Sequence, residues 1–395
     1  MRIALVSQEY PPDTAHGGIA TQTYRKAHGL AARGHEVHVI THGVRGIREE
    51  SSAHGVHVTR IPGAVDGLAL HTEAARWLCY STLVAAEVAA LNRRVPLDIV
   101  DFPEYGGEAY VHLLNRTDGE SVASVVQLHG PLVMLAHTIA WPQRDSELYR
   151  TGTAMEAASV RLADAVFSSS RCSTQWCARH YALDAASVPV IHAGVDVDVF
   201  IPSRASQLSR PTVVFVGRVA ESKGVGTLVD ACCEIARRIP ELRLCLVGRA
   251  DAAFAQALAA RARARGCPEL LQLRGHVSND ALPEVLCAAH VFAAPSRYEG
   301  GPGFVYLEAM ACGLPVVACT GNGASDVIAE ARAGALVEPG DVAGTAEALT
   351  ELLLDEERRA RFSRAARDYA VAHADTRKCI AALEGFYQRV IRERS

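Results

Sequence analysis

Residues 291–320, VFAAPSRYEGGPGFVYLEAMACGLPVVACT, read as a strand, a glycine-rich loop, a helix and a second strand. VFAAPS is a short apolar run that suits a buried strand, and FVYLEAMACG has the composition of a helix ended by Gly313. Pro315 then starts the next strand, PVVACT. Two buried strands joined by a crossover helix imply parallel pairing, with helices covering the sheet. The same alternation runs along the chain: RIALVS, HEVHVIT, DIVDF, VASVVQLHG and AVFSSS come before residue 200, and TVVFVG, LRLCLVG and LLQLRG after it. The expected fold is α/β, with two doubly wound, Rossmann-like domains facing a central cleft at the carboxyl ends of their strands.

A length of 395 residues exceeds one typical domain. The polar stretch DVDVFIPSRASQLSRP, residues 196–211, interrupts the pattern and serves as the linker. The expected division is therefore 1–200 and 201–375, with an amphipathic C-terminal helix at 376–395 packing back onto the first domain.

Composition excludes several classes. With 49% hydrophobic and 21% charged residues the chain is globular, and a net charge of −4 gives no electrostatic case for nucleic acid or for stable attachment to an anionic membrane. The N-terminus is apolar for too few residues to form a signal peptide, so a cytoplasmic protein is expected. The eleven cysteines show no C-x-x-C and no metal-ligand spacing, and they read as reduced thiols. No metal site is expected, and no cofactor. Monomer and homodimer both stay open.

The strand-end loops hold the candidate chemistry. After RIALVS, Gly17 and Gly18 stand where a helix begins, so backbone N–H groups without helical partners can face an anion or sugar hydroxyls. A glycine turn chosen only for its dihedrals reads equally well. After TVVFVG come Arg218 and Lys223, two cations at the edge where ligands of such sheets bind. They could neutralise a diphosphate, although loop charges that meet only solvent are the plainer account. After VFAAPS, Gly303 and Phe304 present the positive end of a helix, with Glu308 one turn inside it. A carboxylate there can accept hydrogen bonds from ribose hydroxyls while Arg218 and Lys223 hold the adjoining phosphates. Glu299 in the loop and His129 at the end of VVQLHG have bland readings too, as a solvated charge and a satisfied core histidine.

Four stretches together, GGIATQTYRKAHGLAARGHEVHVIT, HAGVDVDVF, FVGRVAESKG and PSRYEGGPGFVYLEAMACGLPVVA, resemble the retaining GT-B glycosyltransferases of family 4, in order and over essentially the whole chain. The resemblance implies a metal-independent hexosyltransferase using a nucleoside-diphosphate sugar, UDP- or GDP-linked. It assigns Glu308 to the ribose, Arg218 and Lys223 to the donor diphosphate, Gly17 and Gly18 to the donor phosphate and the acceptor, and His129 to the transferred sugar. Acceptor contacts are expected in DFPEYGGEAY, chiefly Glu104 and Tyr105, and at the loop after His129. The resemblance is silent on the substrate; a weakly acidic N-terminal domain without an exposed basic-aromatic helix favours a small, polar acceptor, cationic ones included, and an Ala/Arg-rich composition like that of proteins from GC-rich bacteria points to specialised metabolism or low-molecular-weight thiol synthesis. Cell-envelope polysaccharide or glycolipid assembly is the alternative, and an epimerase of the same architecture or a non-catalytic sugar-nucleotide-binding partner are the rivals of other classes. Two positions depart from the family pattern. Ala193-Gly194 stands where Asn-Gly is common, and Glu299 and Glu308 are spaced E-x8-E rather than E-x7-E. Either the EGGPGF loop bulges and returns Glu299 to the sugar, as the glycines flanking Pro302 favour, or the carboxylate is displaced.

Overall fold

The computed structural model describes residues 1–12, 14, 17–65, 68–117, 122–203 and 209–394. The chain divides into two units, Met1–Ala193 with Arg377–Ser395, and Gly194–Thr376. Both are α/β layers around a largely parallel sheet. Residues 204–208 of the expected linker lie outside the described residues.

The first unit contains β1 (Arg2–Ser7), β2 (Glu36–His42), β3 (Glu49–Ala53), β4 (Val56–Ile61), β5 (Ile99–Pro103), β6 (Ala123–Leu128) and β7 (Ala165–Ser168). They are ordered β3-β4-β2-β1-β5-β6-β7, all parallel except β3 against β4. The order reverses between β1 and β5, the kind of switch point outside whose carboxyl ends open α/β sheets tend to bind ligands. Successive residues of a strand point to opposite faces, and in β1 both faces are apolar. Ala4 and Val6 join one core with Val100, Phe102 and Val126. Ile3 and Leu5 join the other, with Phe167 and with Ile380, Leu383, Phe386 and Tyr387 of the C-terminal helix Thr376–Arg394. That helix is also tied in by polar contacts. The Tyr387 hydroxyl donates to Asp101, which also accepts from Lys26 Nζ at 2.6 Å, and Lys26 donates further to Gln127 Oε1 at 2.8 Å. Lys26 and Asp101 are both buried, so their pairing compensates charges removed from water.

The second unit contains β8 (Thr212–Val216), β9 (Arg243–Val247), β10 (Leu271–Gly275), β11 (Val291–Ala294), β12 (Val316–Cys319) and β13 (Gly334–Val337). The order is β10-β9-β8-β11-β12-β13, parallel throughout, and it reverses between β8 and β11. The division falls at Ala193 rather than at 200 because Val195, Val197 and Phe200 bury in the second core.

The pattern of short apolar runs misses β3, β4 and β13. EESSA of β3 is polar and mostly exposed, as an edge strand can be. The cysteine reading also needs correction. Cys233 and Cys267 are joined as a disulfide with their Cα atoms 6.1 Å apart, while the other nine are buried cysteines outside any disulfide. A separation of 34 residues carries no local motif. Among the described residues no helix is long and apolar enough to cross a membrane.

Candidate functional site

In the second unit the chemistry gathers where β8 and β11, neighbours in the sheet, end. Arg218 follows β8, is exposed, and its side chain makes no hydrogen bond or ion pair among the described residues. Lys223 closes the short 3-10 turn Glu221–Lys223. Gly224 comes next at φ 70°, with the Pro295 carbonyl pressed against the place a Cβ would take, so glycine is required for the turn to meet the β11 exit. The β11 exit is then fixed from three sides. Arg297 N donates to the Ser222 carbonyl at 3.2 Å, Gly323 N to the Glu299 carbonyl at 2.7 Å, and Asn322 Nδ2 to the Ser296 carbonyl at 3.0 Å. Asn322 at the same time caps the helix Gly323–Ala331, accepting from Ala324 N and Ser325 N.

This scaffold brings together Lys223, Glu299 and the start of the helix Phe304–Ala311. Lys223 Nζ donates to Glu299 Oε1 at 2.7 Å, and both side chains are partly exposed. Gly303 precedes the helix at φ 67°, and Glu299 Oε2 lies 3.7 Å from where its Cβ would stand. The carboxylate thus sits over the helix N-terminus, the end whose N–H groups attract anions. Beneath it Tyr306 donates to the Ala294 carbonyl at 2.7 Å, and burial, then the Glu299 charge, hold its hydroxyl well above the usual phenol range. Glu308 is on the same helix and only 5% exposed.

In the first unit, Gly17 is the N-cap of the helix Gly18–Ala32, and Glu9 Oε2 lies 3.1 Å from where a Gly17 Cβ would stand. His129 follows β6 half-buried. Burial, then the nearby Lys26 charge, lower its imidazole to about 3, so it is neutral near neutral pH and can accept or donate a hydrogen bond without carrying charge. Its main-chain N–H donates to both oxygens of Glu104 at 2.7 Å, and Gly130 N donates to Oε1 at 2.5 Å.

That corrects one expectation. Glu104 is 0% exposed and presents its carboxylate to backbone, so it holds the His129 turn instead of meeting an acceptor. Burial raises it to about 7 despite those hydrogen bonds. Asp101, in the same expected acceptor segment, is likewise taken up by Lys26 and Tyr387. Tyr105 is half-buried, its ring 5.4 Å from that of Trp77.

Sequence reasoning missed three organisers. Glu156 accepts from Gly106 N at 3.3 Å, Leu132 N at 2.8 Å and the Tyr181 hydroxyl at 2.6 Å, and burial, then the Glu104 charge, raise it to about 8. Lys26 and Asn322 are the others. An N-cap signal was present for Asn322 in NGASDVIAE, whereas a carboxylate inside a helix gives no sign of which loops it will reach. Among the described residues no group of three His, Cys, Asp or Glu side chains could hold a metal ion.

Two family models cover the chain in sequence, Glycosyltransferase Family 4 over residues 16–199 and Glycosyl transferases group 1 over 197–369. The alpha-maltose-1-phosphate synthase of Mycolicibacterium smegmatis is 30% identical, over 96% of this chain and 95% of its own. A GDP-mannose-dependent alpha-(1-6)-phosphatidylinositol monomannoside mannosyltransferase of Mycobacterium tuberculosis is 34% identical over 203 residues, and the chain spans only about half that relative's length, 52%. Sucrose-phosphate synthase from Thermosynechococcus elongatus shares the fold, with a TM-score of 0.84 at 22% identity over 99% of both chains. Two doubly wound units with this loop chemistry define a GT-B architecture. The chain belongs to the GT-B glycosyltransferases of family 4.

Proposed function

We propose that the chain moves a hexose from a nucleoside-diphosphate sugar, UDP- or GDP-linked, to a small polar acceptor, with retention at the anomeric carbon and without a divalent metal. The observation that carries this reading is the assembly of Arg218, Lys223, Glu299 and the Gly303-led helix at the ends of β8 and β11. Transfer leaves negative charge on the departing diphosphate. Arg218, Lys223 and the helix N-terminus would offer donors to that charge, which is where preorganised electrostatics lowers a barrier. Glu308 would accept from the ribose hydroxyls and Glu299 from the transferred sugar, while neutral His129 would bond a sugar hydroxyl. A donor phosphate oxygen would take the acceptor proton as the sugar departs.

A thermal-shift panel of UDP-, GDP-, ADP- and dTDP-sugars, then NMR of the product anomer with and without EDTA, tests each part. Inverted product, or turnover lost in EDTA and restored by Mg²⁺, overturns the corresponding clause. Donor breakdown that needs no acceptor would point to an epimerase. Specialised metabolism in a bacterial cytoplasm is the setting we favour. The alternative, cell-envelope glycolipid assembly, is favoured by the likeness to a phosphatidylinositol monomannoside mannosyltransferase.

A further inference from the structure

The second unit carries a cavity of about 190 Å³ at the edge of its sheet opposite to Arg218 and Lys223. Ala289 and His290, which precede β11, and Leu314 and Pro315, which precede β12, put it at the amino ends of those strands. Two cysteines line it. Cys287 ends the helix Leu282–Cys287 and Cys312 caps the helix Phe304–Ala311, so each stands where a helix turns toward a strand. The two thiols share a hydrogen bond and are 7% and 5% exposed. Three polar side chains of the wall are bonded to main chain: Arg359 donates to the Leu352 and Leu353 carbonyls, Ser363 donates to the Gly313 carbonyl, and the His290 ring accepts from Thr212 N.

Cys287 is served in either protonation state. As a thiol its Sγ can donate to the Ile201 carbonyl, 3.2 Å away, and as a thiolate it can accept from the Cys312 thiol and from Ser203 N. The hydrogen bond with Cys312 holds Cys287 below the usual thiol range, with burial opposing it and the Ser203 N–H assisting. The same bond and burial push Cys312 up, so it keeps its proton. Burial also pushes Cys177, Cys232, Cys245 and Cys319 up, away from ionisation. The thiolate is the nucleophile in sulfur chemistry, and an ionisable cysteine beside a protonated one is the arrangement of an attacking and a resolving residue. A cavity of about 190 Å³ lies below the roughly 300 Å³ at which pockets for drug-sized ligands begin, yet is several times the roughly 30 Å³ share of a water molecule. It suits a reactant the size of hydrogen peroxide.

We propose that Cys287 and Cys312, meeting in this cavity, form a peroxide-reactive dithiol site, with Cys287 attacking and Cys312 resolving. The Cys287 sulfur attacks one oxygen of hydrogen peroxide, the O–O bond breaks, and an S–O bond forms as the other oxygen leaves as water with the thiol proton. The Cys312 sulfur then attacks the Cys287 sulfenic acid, the S–O bond breaks as the S–S bond forms, and the hydroxyl leaves as a second water with the Cys312 proton. Two thiols lose two electrons and one peroxide becomes two waters. The new bond ties together the ends of the helices that come before and after β11. This site is independent of the glycosyltransferase reading.

The test treats the full chain, reduced and then freed of reductant, with hydrogen peroxide, blocks remaining thiols by alkylation and maps the cysteines by peptide mass spectrometry. The expected result is a Cys287–Cys312 linked peptide that forms about tenfold faster than Cys177, Cys232, Cys245 or Cys319 is oxidised, and that dithiothreitol reverses. In denaturant, where the cavity is gone, that preference should vanish. Cys312→Ser should stop the reaction at a Cys287 sulfenic acid, trapped by dimedone, and Cys287→Ser should leave Cys312 alkylated. The proposal is overturned if the folded parent forms no Cys287–Cys312 bond, if the bond forms no faster than the other cysteines react, or if the preference is the same in denaturant. These three outcomes are read on the parent chain, so they hold even if a variant fails to fold. Absence of a dimedone adduct at Cys287 in a folded Cys312→Ser chain also overturns it.

Discussion

In the first unit the strand exits are held by carboxylates sealed from solvent, whereas in the second the charges at the corresponding edge stand partly in water. Glu104 and Glu156 spend their oxygens on the main-chain N–H groups of residues 106, 129, 130 and 132. Lys223 and Glu299 meet each other through side chains, and Arg218 is exposed. The first arrangement shapes backbone, and the second leaves charge that, under the proposed function, would meet a ligand. Removing a buried acceptor should therefore unfold a loop, while removing a partly exposed charge should weaken a substrate.

The largest expected effect follows from that contrast. Glu104→Ala strands the N–H groups of His129 and Gly130, at about 1–3 kcal/mol each, and should destabilise the chain by roughly 3 kcal/mol or more. Chemical denaturation would show it as a fall in midpoint. A loss below about 1 kcal/mol would mean that water replaces the carboxylate and that the edge is not a sealed support.

At the other edge, Arg218→Ala should leave stability alone and weaken donor binding by about 1.5–3 kcal/mol, the range for a charge-assisted contact. Lys223→Ala should cost more, because it also leaves the Glu299 carboxylate unpaired beside the incoming diphosphate. Adding Glu299→Gln to Lys223→Ala should recover part of that loss in calorimetric titrations. Additive losses instead would show that the observed pair is absent when the donor is bound.

A pH experiment sharpens the same comparison. Glu156 is raised to about 8 when folded, so the folded chain holds a proton that the unfolded chain releases near the ordinary carboxylate value. Stability from this group is present below that ordinary value and is lost as pH rises toward 8. Glu156→Gln mimics the protonated acid and should gain stability relative to the parent between pH 5 and pH 8. Two parallel melting curves across that range would show that Glu156 is ionised in the fold.

These differences also mark how far the sequence could be read. Apolar runs such as TVVFVG and VFAAPS announce buried strands because every residue of a doubly covered strand is apolar. The polar edge strand EESSA carries no such signal, and Cys233 finds Cys267 only through the packing of distant segments. Arg218 and Lys223 were legible because a cation next to a strand end needs no tertiary knowledge to be suspected. Glu104 was legible as a carboxylate in the right loop, but which way it points depends on the β6 exit that it supports. A sequence therefore shows charges at strand ends more readily than it shows which of them turn to the backbone.

The smallest effect decides the E-x8-E question. The extra residue in EGGPGF leaves the Glu299 carboxylate over the Gly303-led helix end and bonded to Lys223. Glu299→Gln removes a charge that competes with a diphosphate for Lys223, so bare UDP or GDP should bind within a few tenths of a kcal/mol of the parent, or slightly tighter, while turnover falls. Glu308→Gln should weaken the bare nucleotide by about 1 kcal/mol, the scale of one hydrogen bond to a ribose hydroxyl. Both changes delete one negative charge, so the contrast removes any general electrostatic effect they share. Deleting Gly300 restores the common spacing and should keep turnover if the loop merely accommodates an insertion. Normal turnover in Glu299→Gln across several donors would instead show that the carboxylate serves only to hold Lys223 in place until the diphosphate arrives.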